Sequence, residues 1–133
     1  MIRPKAILDT CVLVDILRGQ KKDLQKRLEN IDIQNCSIAD LTVFELLCGA
    51  ENSERKEENT RAVTNLVNFF QARPTSAGYE TAAKEKVRLR REGLGIHDID
   101  LLIGSLCVAE GIPLITGNRK HFERLSGIQI IDW

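Results

Sequence analysis

The chain has 133 residues, 43% apolar and 29% charged, the composition of an ordinary globular protein able to bury a core without disulfides or a structural metal. Nineteen basic residues are matched by nineteen acidic ones, which argues against a uniformly basic nucleic-acid binder and leaves such contacts to local clusters. Four scattered cysteines, with no CxxC pair and two histidines outside zinc-ligand spacing, exclude a zinc finger and fit reduced thiols in the cytoplasm.

The opening residues, Met-Ile-Arg-Pro-Lys, lead into an apolar run that meets Asp9 after three residues, too short for a signal peptide or membrane span. Ala6-Ile7-Leu8 predicts a first strand with Asp9 at its carboxyl end. From Thr10 to Leu17 the spacing of Val12, Leu13, Ile16 and Leu17 becomes helical, and Gly19 stops it. A charged helix over Lys21 to Asn30, a strand over Ile33 to Ile38, and a helix from Ala39 or Asp40 to Ala50 follow.

After a polar stretch, Glu51 to Asn59, an amphipathic helix carries Val63, Leu66, Val67 and Phe70, apolar enough for the core or a dimer contact. Arg73-Pro74-Thr75 is extended, because proline disfavours helix in its predecessor. Tyr79 to Glu92 is a long basic helix, and Asp98 to Glu110 is apolar almost all round. Residues 113–116 and 128–131 are strand-like, separated by a short helix with Phe122 and Leu125. Strands alternating with helices give one α/β sandwich domain over residues 1–133 with a mostly parallel sheet. Ligands in such folds bind beyond the carboxyl ends of the strands.

Three acids stand among apolar residues. Glu45 shares a helix face with Leu41, Phe44 and Cys48, and Asp100 shares one with Ile103, Gly104 and Cys107, while Asp9 ends the opening strand. A lone buried carboxylate costs several kcal/mol unless it is protonated, paired or metal-bound. Each has an ordinary alternative: Asp9 as a helix cap, Glu45 paired with a base from a neighbouring helix, Asp100 in a favourable first turn. Asp98 is the better cap for the Asp100 helix, and Asp15, Asp23 and Asp40 suit solvated or capping roles. A shared edge for Asp9, Glu45 and Asp100 instead makes a hard oxygen site for Mg²⁺ or Mn²⁺.

In order, the motifs are Leu8-Asp9-Thr10, Val43-Phe44-Glu45-Leu46-Leu47-Cys48-Gly49-Ala50, Gly95-Ile96 with Asp100-Leu101-Leu102-Ile103, and Leu114-Ile115-Thr116-Gly117-Asn118 with Phe122. Their order and spacing resemble the PIN-domain family, most closely its VapC-type toxin ribonucleases, over essentially the whole chain. The resemblance implies a PIN-like three-layer α/β/α sandwich with a mostly parallel central sheet, and Mg²⁺- or Mn²⁺-dependent cleavage of RNA by a water in line with the leaving 3′ oxygen. It also implies Asp9 and Asp100 as principal metal ligands, Glu45 completing the acidic pocket, Asn118 orienting water, and Thr10 and Thr116 as hydroxyl supports. A homodimer and capture by a small antitoxin follow from the same resemblance. Cys11 departs from the Asn or Ser often found after Asp-Thr, and Gly104-Ser105 from the more usual pair of alanines.

Lys84, Arg88 and Arg91 recur at spacings of four and three, forming a ridge on one helix face. With Arg119 and Lys120, which follow Asn118, they are the expected RNA contacts, and the alternative is a solvated helix face. No aromatic stacking platform accompanies them. Two other functional classes stay open. A haloacid-dehalogenase-like phosphatase would need a second Asp two residues after Asp9, where Cys11 stands. A PIN-like scaffold that binds without cutting would gain nothing from clustered buried charge, and an RNA-processing PIN nuclease outside a toxin pair would share every motif.

Overall fold

Strand β1, Ala6–Leu8, buries all three of its side chains, which requires cover on both faces of the sheet. The structure, a computed structural model describing residues 3–133, supplies that cover as two helical layers. The first two residues of the opening segment lie outside the described ones. In chain order, β1 is followed by α1 (Thr10–Arg18), α2 (Leu24–Asn30), β2 (Cys36–Ala39), α3 (Asp40–Glu51), α4 (Lys56–Val67) and β3 (Ala72–Arg73). Then come α5 (Tyr79–Arg91), α6 (Asp98–Glu110), β4 (Leu114–Thr116), α7 (Arg119–Phe122) and β5 (Ile130–Asp132).

The strands lie in the order β3-β2-β1-β4-β5 and every pairing is parallel. Ile7 pairs with Ser37 on one side and Leu114 on the other. Alternation along these strands divides the core. Ala6, Leu8, Ile38 and Ile115 pack with Val12, Leu13, Leu46 and Val63 of α1, α3 and α4. Ile7, Ala39 and Leu114 pack with Leu89, Leu101 and Leu106 of α5 and α6. The result is the expected three-layer sandwich, and the sheet is parallel throughout.

Gly78 sets how closely the start of α5 meets α6, since a Cβ there would stand 2.6 Å from the Leu106 backbone nitrogen. Gly104 is likewise needed, because a Cβ would run into Leu125 Cδ1. Its neighbour Ser105 is fully buried, and its hydroxyl has no hydrogen-bond partner among the described residues.

Several expectations are corrected. Residues 33–35 form a 3₁₀ turn, so β2 begins only at Cys36. Helix α2 starts at Leu24 rather than Lys21, since Asp23 adopts a left-handed conformation. On α3 the buried residues are Thr42, Leu46 and Ala50, whereas Phe44 and Cys48 are exposed. Glu45 is therefore at the border of an exposed face, not on an inward stripe. Val63 is buried and Leu66, Val67 and Phe70 pack against the core, so that helix is committed inward. Among the described residues no helix is long and apolar enough to cross a membrane.

Candidate active site

In an open parallel sheet the chain leaves adjacent strands on opposite sides at the point where strand order reverses, and a crevice opens there. That point lies between β1, which feeds α1, and β4, which feeds α7. Asp9 follows β1 directly and Thr116 ends β4. Asp9 is 3% exposed, and its carboxylate is held by three donors. Oδ1 accepts the Thr10 N–H at 2.8 Å, so Asp9 does cap α1. Oδ2 accepts the Thr116 hydroxyl at 2.7 Å and the Cys11 thiol at 3.3 Å. The direction of the threonine bond is fixed, because Asn118 N–H donates to Thr116 Oγ1 at 2.9 Å and leaves the hydroxyl proton for Asp9.

Cys11 does more than its place in the sequence suggested. Its sulfur accepts the Gly117 N–H at 3.5 Å, tying the start of α1 to the loop after β4. Burial first, and then the Asp9 charge, push the thiol up to about 11, so it stays a protonated donor at neutral pH.

Helix α3 leaves β2 at the same edge and carries Glu45 about five residues in, roughly 7.5 Å along its axis. Glu45 Oε1 lies 2.5 Å from Thr10 Oγ1, which is itself 3.2 Å from Thr42 Oγ1. A hydroxyl has one proton, and the carboxylate is the stronger acceptor. No basic side chain forms an ion pair with Glu45 among the described residues, so the ordinary alternative of a buried salt bridge is absent. Helix α6 turns straight into β4 and so begins at this edge too, placing Asp100 in its first turn.

Burial pushes the Asp100 carboxyl above the usual carboxylate value of 3.8, and repulsion from Asp9 and then Glu45 adds to it. His121 Nδ1, 3.9 Å from Asp100 Oδ2, and His97 pull the other way. The three acids thus stand close enough to feel one another with little cationic relief. Among the described residues no three Asp, Glu, His or Cys side chains form a ready-made ligand cage. Mg²⁺ does not need one, since it keeps several waters and takes one or two carboxylates with substrate phosphate. A carboxylate-only donor set whose members repel each other fits such an ion, and Asp9 and Asp100, with Glu45 beside them, are the residues that could hold it.

Asn118 is exposed and its side chain has no partner among the described residues, while its backbone serves Thr116 and starts α7. Asp98 does not cap α6: His97 holds that position, and Asp98 pairs with Lys86 at 2.8 Å, outside the acidic group. Of the expected basic ridge, Arg88 is turned to structural use, bridging the buried Glu85 at 2.7 Å, Glu92 and the Arg124 carbonyl. Lys84 pairs with Glu80 and Arg119 with Asp132, while Arg91 and Lys120 are exposed and without an ion pair among the described residues. Thr42 and His121 were missed, and Cys11 was noted only as a departure from the family pattern. Thr42 and His121 each lie three residues from a predicted one (Glu45 and Asn118), so helical spacing was the available signal for those two.

Residues 6–128 match the PIN domain family. The chain is similar to the tRNA(fMet)-specific endonuclease VapC of Salmonella typhimurium, 28% identical over 97% of this chain and 98% of that protein. It is also similar to ribonuclease VapC1 of Methanocaldococcus jannaschii, 30% identical over 96% and 88%. In three dimensions it resembles a chain of the DNA-bound VapBC structure from Salmonella typhimurium, with a TM-score of 0.88, 25% identity, and 98% and 99% of the two chains covered. With the motif order, the parallel 3-2-1-4-5 sheet and the family match in agreement, the chain belongs to the PIN-domain family.

Proposed function

We propose that the chain is a divalent-metal-dependent endoribonuclease and the toxin of a toxin–antitoxin pair. The observation that carries this is the approach of Asp9, Glu45 and Asp100 at the sheet's switch point, with Asp100 raised by burial and then by Asp9 and Glu45, and no lysine or arginine paired to any of them among the described residues. A charge arrangement that destabilises the empty protein is explained by a cation it was built to hold. Asp9 and Asp100 would hold the ion, while Thr116 and Cys11 aim Asp9 and Thr10 restrains Glu45 beside them. Asn118 supplies an amide to orient water at the mouth. When bound, Mg²⁺ or Mn²⁺ supplies neutralisation of phosphate charge and a water acidic enough to attack phosphorus.

The toxin assignment is supported by the VapC relatives and by the VapBC complexes to which the fold is similar. A groove of about 330 Å³ between α1, α3 and α4 opens at Thr10 and Glu45 and is walled by Val14, Leu46 and Val63. That shape suits a segment of a small antitoxin, with the exposed Phe44 and Leu47 on the same helix. A homodimer in the cytoplasm completes the proposal. Purified protein incubated with total RNA is expected to cut only with Mg²⁺ or Mn²⁺, and Asp9→Asn to abolish cutting. Cleavage undiminished in excess chelator or in the variant would overturn the proposal.

A further inference from the structure

Helix α5 presents a second basic face, distinct from the ridge of Lys84, Arg88 and Arg91. Lys86, Leu89 and Arg90 line a cavity of about 320 Å³ closed by Leu94, Gly95 and Ile96 of the α5–α6 connection. That volume is at the lower end for small-ligand sites. The connection is braced from outside, since Arg124 Nη1 donates to the Gly95 carbonyl and the Leu94 N–H bonds the Leu89 carbonyl at 2.8 Å. Arg90 is exposed and has no ion pair among the described residues. Lys86 leans on Asp98, in the first turn of α6. Ile96 precedes Asp100 by four residues, so the cavity and the acidic centre share the sheet edge where α6 begins.

Building on the ribonuclease proposal, we infer that this cavity is a nucleotide subsite for the RNA strand, with Leu94 and Ile96 against the base and Arg90 on its phosphate. An apolar wall with the unpaired Arg90 guanidinium at its rim, and Lys86 held beside it by Asp98, matches one nucleotide: a flat weakly polar base and a single negative charge. The acidic centre repels phosphate until a cation arrives, so an adjacent positive site is what lets a neutral protein hold the strand there.

The test separates binding from cutting. A fluorescein-labelled single-stranded oligoribonucleotide carrying 4-thiouridine is titrated into the full chain in excess chelator, irradiated, and the crosslinked peptides mapped by mass spectrometry. Crosslinks within residues 86–96 are expected, with Arg90→Ala weakening binding at least threefold and flattening the salt dependence by about one charge. Leu94→Ser is expected to change which base is preferred near the cut while leaving Mn²⁺ binding as in the unsubstituted protein. Arg61→Ala, on exposed α4 surface, serves as the control and leaves affinity unchanged.

Crosslinks confined to other segments, or affinity unaltered by Arg90→Ala, would overturn the subsite while metal-dependent cleavage of total RNA left the ribonuclease proposal standing. A shift in oligomeric state by light scattering for Arg90→Ala, with RNA affinity intact, would also overturn it and assign the face to a second copy of the chain. Absence of both RNA binding and cleavage in the unsubstituted protein would overturn both.

Discussion

Asp9 and Asp100 are both acids at one sheet edge, yet they are supported in opposite ways. Asp9 sits at the end of a central strand, fully buried, with a backbone N–H, a hydroxyl and a thiol on its two oxygens. Asp100 rides on the first turn of a helix, accepts no hydrogen bond among the described residues, and has for relief His121 at 3.9 Å and the more distant charge of His97. The contrast separates two tasks within one centre. On the proposed function, a strand-borne, fully dressed carboxylate would fix where the cation sits, while a lightly held one would supply charge and adjust as phosphate arrives. Glu45 is intermediate, tethered by the single Thr10 hydroxyl.

The largest effect that tests this contrast is the loss of the fixed ligand. Asp9→Asn should lower RNA cleavage by about 10³-fold, since several kcal/mol of metal stabilisation is at stake, and calorimetry should show Mn²⁺ binding lost. Glu45→Gln should cost about tenfold; equal losses in the two variants would break the distinction. Next is Thr116→Val, which removes the hydroxyl that aims Asp9 and strands the Asn118 N–H. Outer supports of this kind typically contribute 10–100-fold in metal affinity, and calorimetry with Mn²⁺ should return a loss in that range.

Asp100 offers a test of opposite sign. Its carboxyl is raised in the fold by burial, Asp9 and Glu45, so the folded protein favours the protonated form. Stability is therefore greatest when Asp100 is protonated and falls as pH rises above the ordinary value of 3.8. In chelator at pH 7, Asp100→Asn should raise the melting temperature by about 3 °C. The gain should shrink as pH falls toward 3.8 and vanish or reverse with saturating Mn²⁺. A variant less stable than the parent in chelator would show that no repulsion is stored there. Smallest is Cys11: Cys11→Ser keeps a donor and should alter Mn²⁺ affinity by less than about threefold, whereas Cys11→Ala should cost several-fold, the size of one net hydrogen bond.

Much of this was legible in the chain. The bounds of α6 were predicted as Asp98 to Glu110 and are so found, because Gly111 adopts the left-handed conformation that ends it. The parallel sheet followed from short apolar strands alternating with helices. Where prediction failed, local pattern was ambiguous. Helix α3 is apolar on two faces, Leu41-Phe44-Cys48 and Thr42-Leu46-Ala50, and periodicity alone gave no reason to bury the second.

The 3₁₀ turn at residues 33–35 shares its alternating pattern with a strand, and only its hydrogen bonds tell them apart. Arg88 and Lys86 differ by two positions on one basic helix. Which of them pairs inward depends on Glu85 and the Arg124 carbonyl, the latter 36 residues away. Asp9 and Asp100 stood out because a charge among apolar residues is costly wherever it occurs, whereas Glu45 was singled out on a face that proves exposed. The donors on Asp9 were found less completely, because a thiol reads as a hydrophobe until its neighbour is known.

The sheet order also sets when the centre comes into existence. β1 emerges early in synthesis, but its neighbour β4 brings Thr116 to Asp9 from 107 positions further along. At typical translation speeds that interval is roughly 5–20 s. Until the fourth strand slots beside the first, Asp9 lacks the hydroxyl that aims it and Cys11 lacks the amide of the following loop. A half-made chain still on the ribosome therefore carries Asp9 and Glu45 without Asp100 or Thr116, and the machinery that builds it meets no assembled cutting centre.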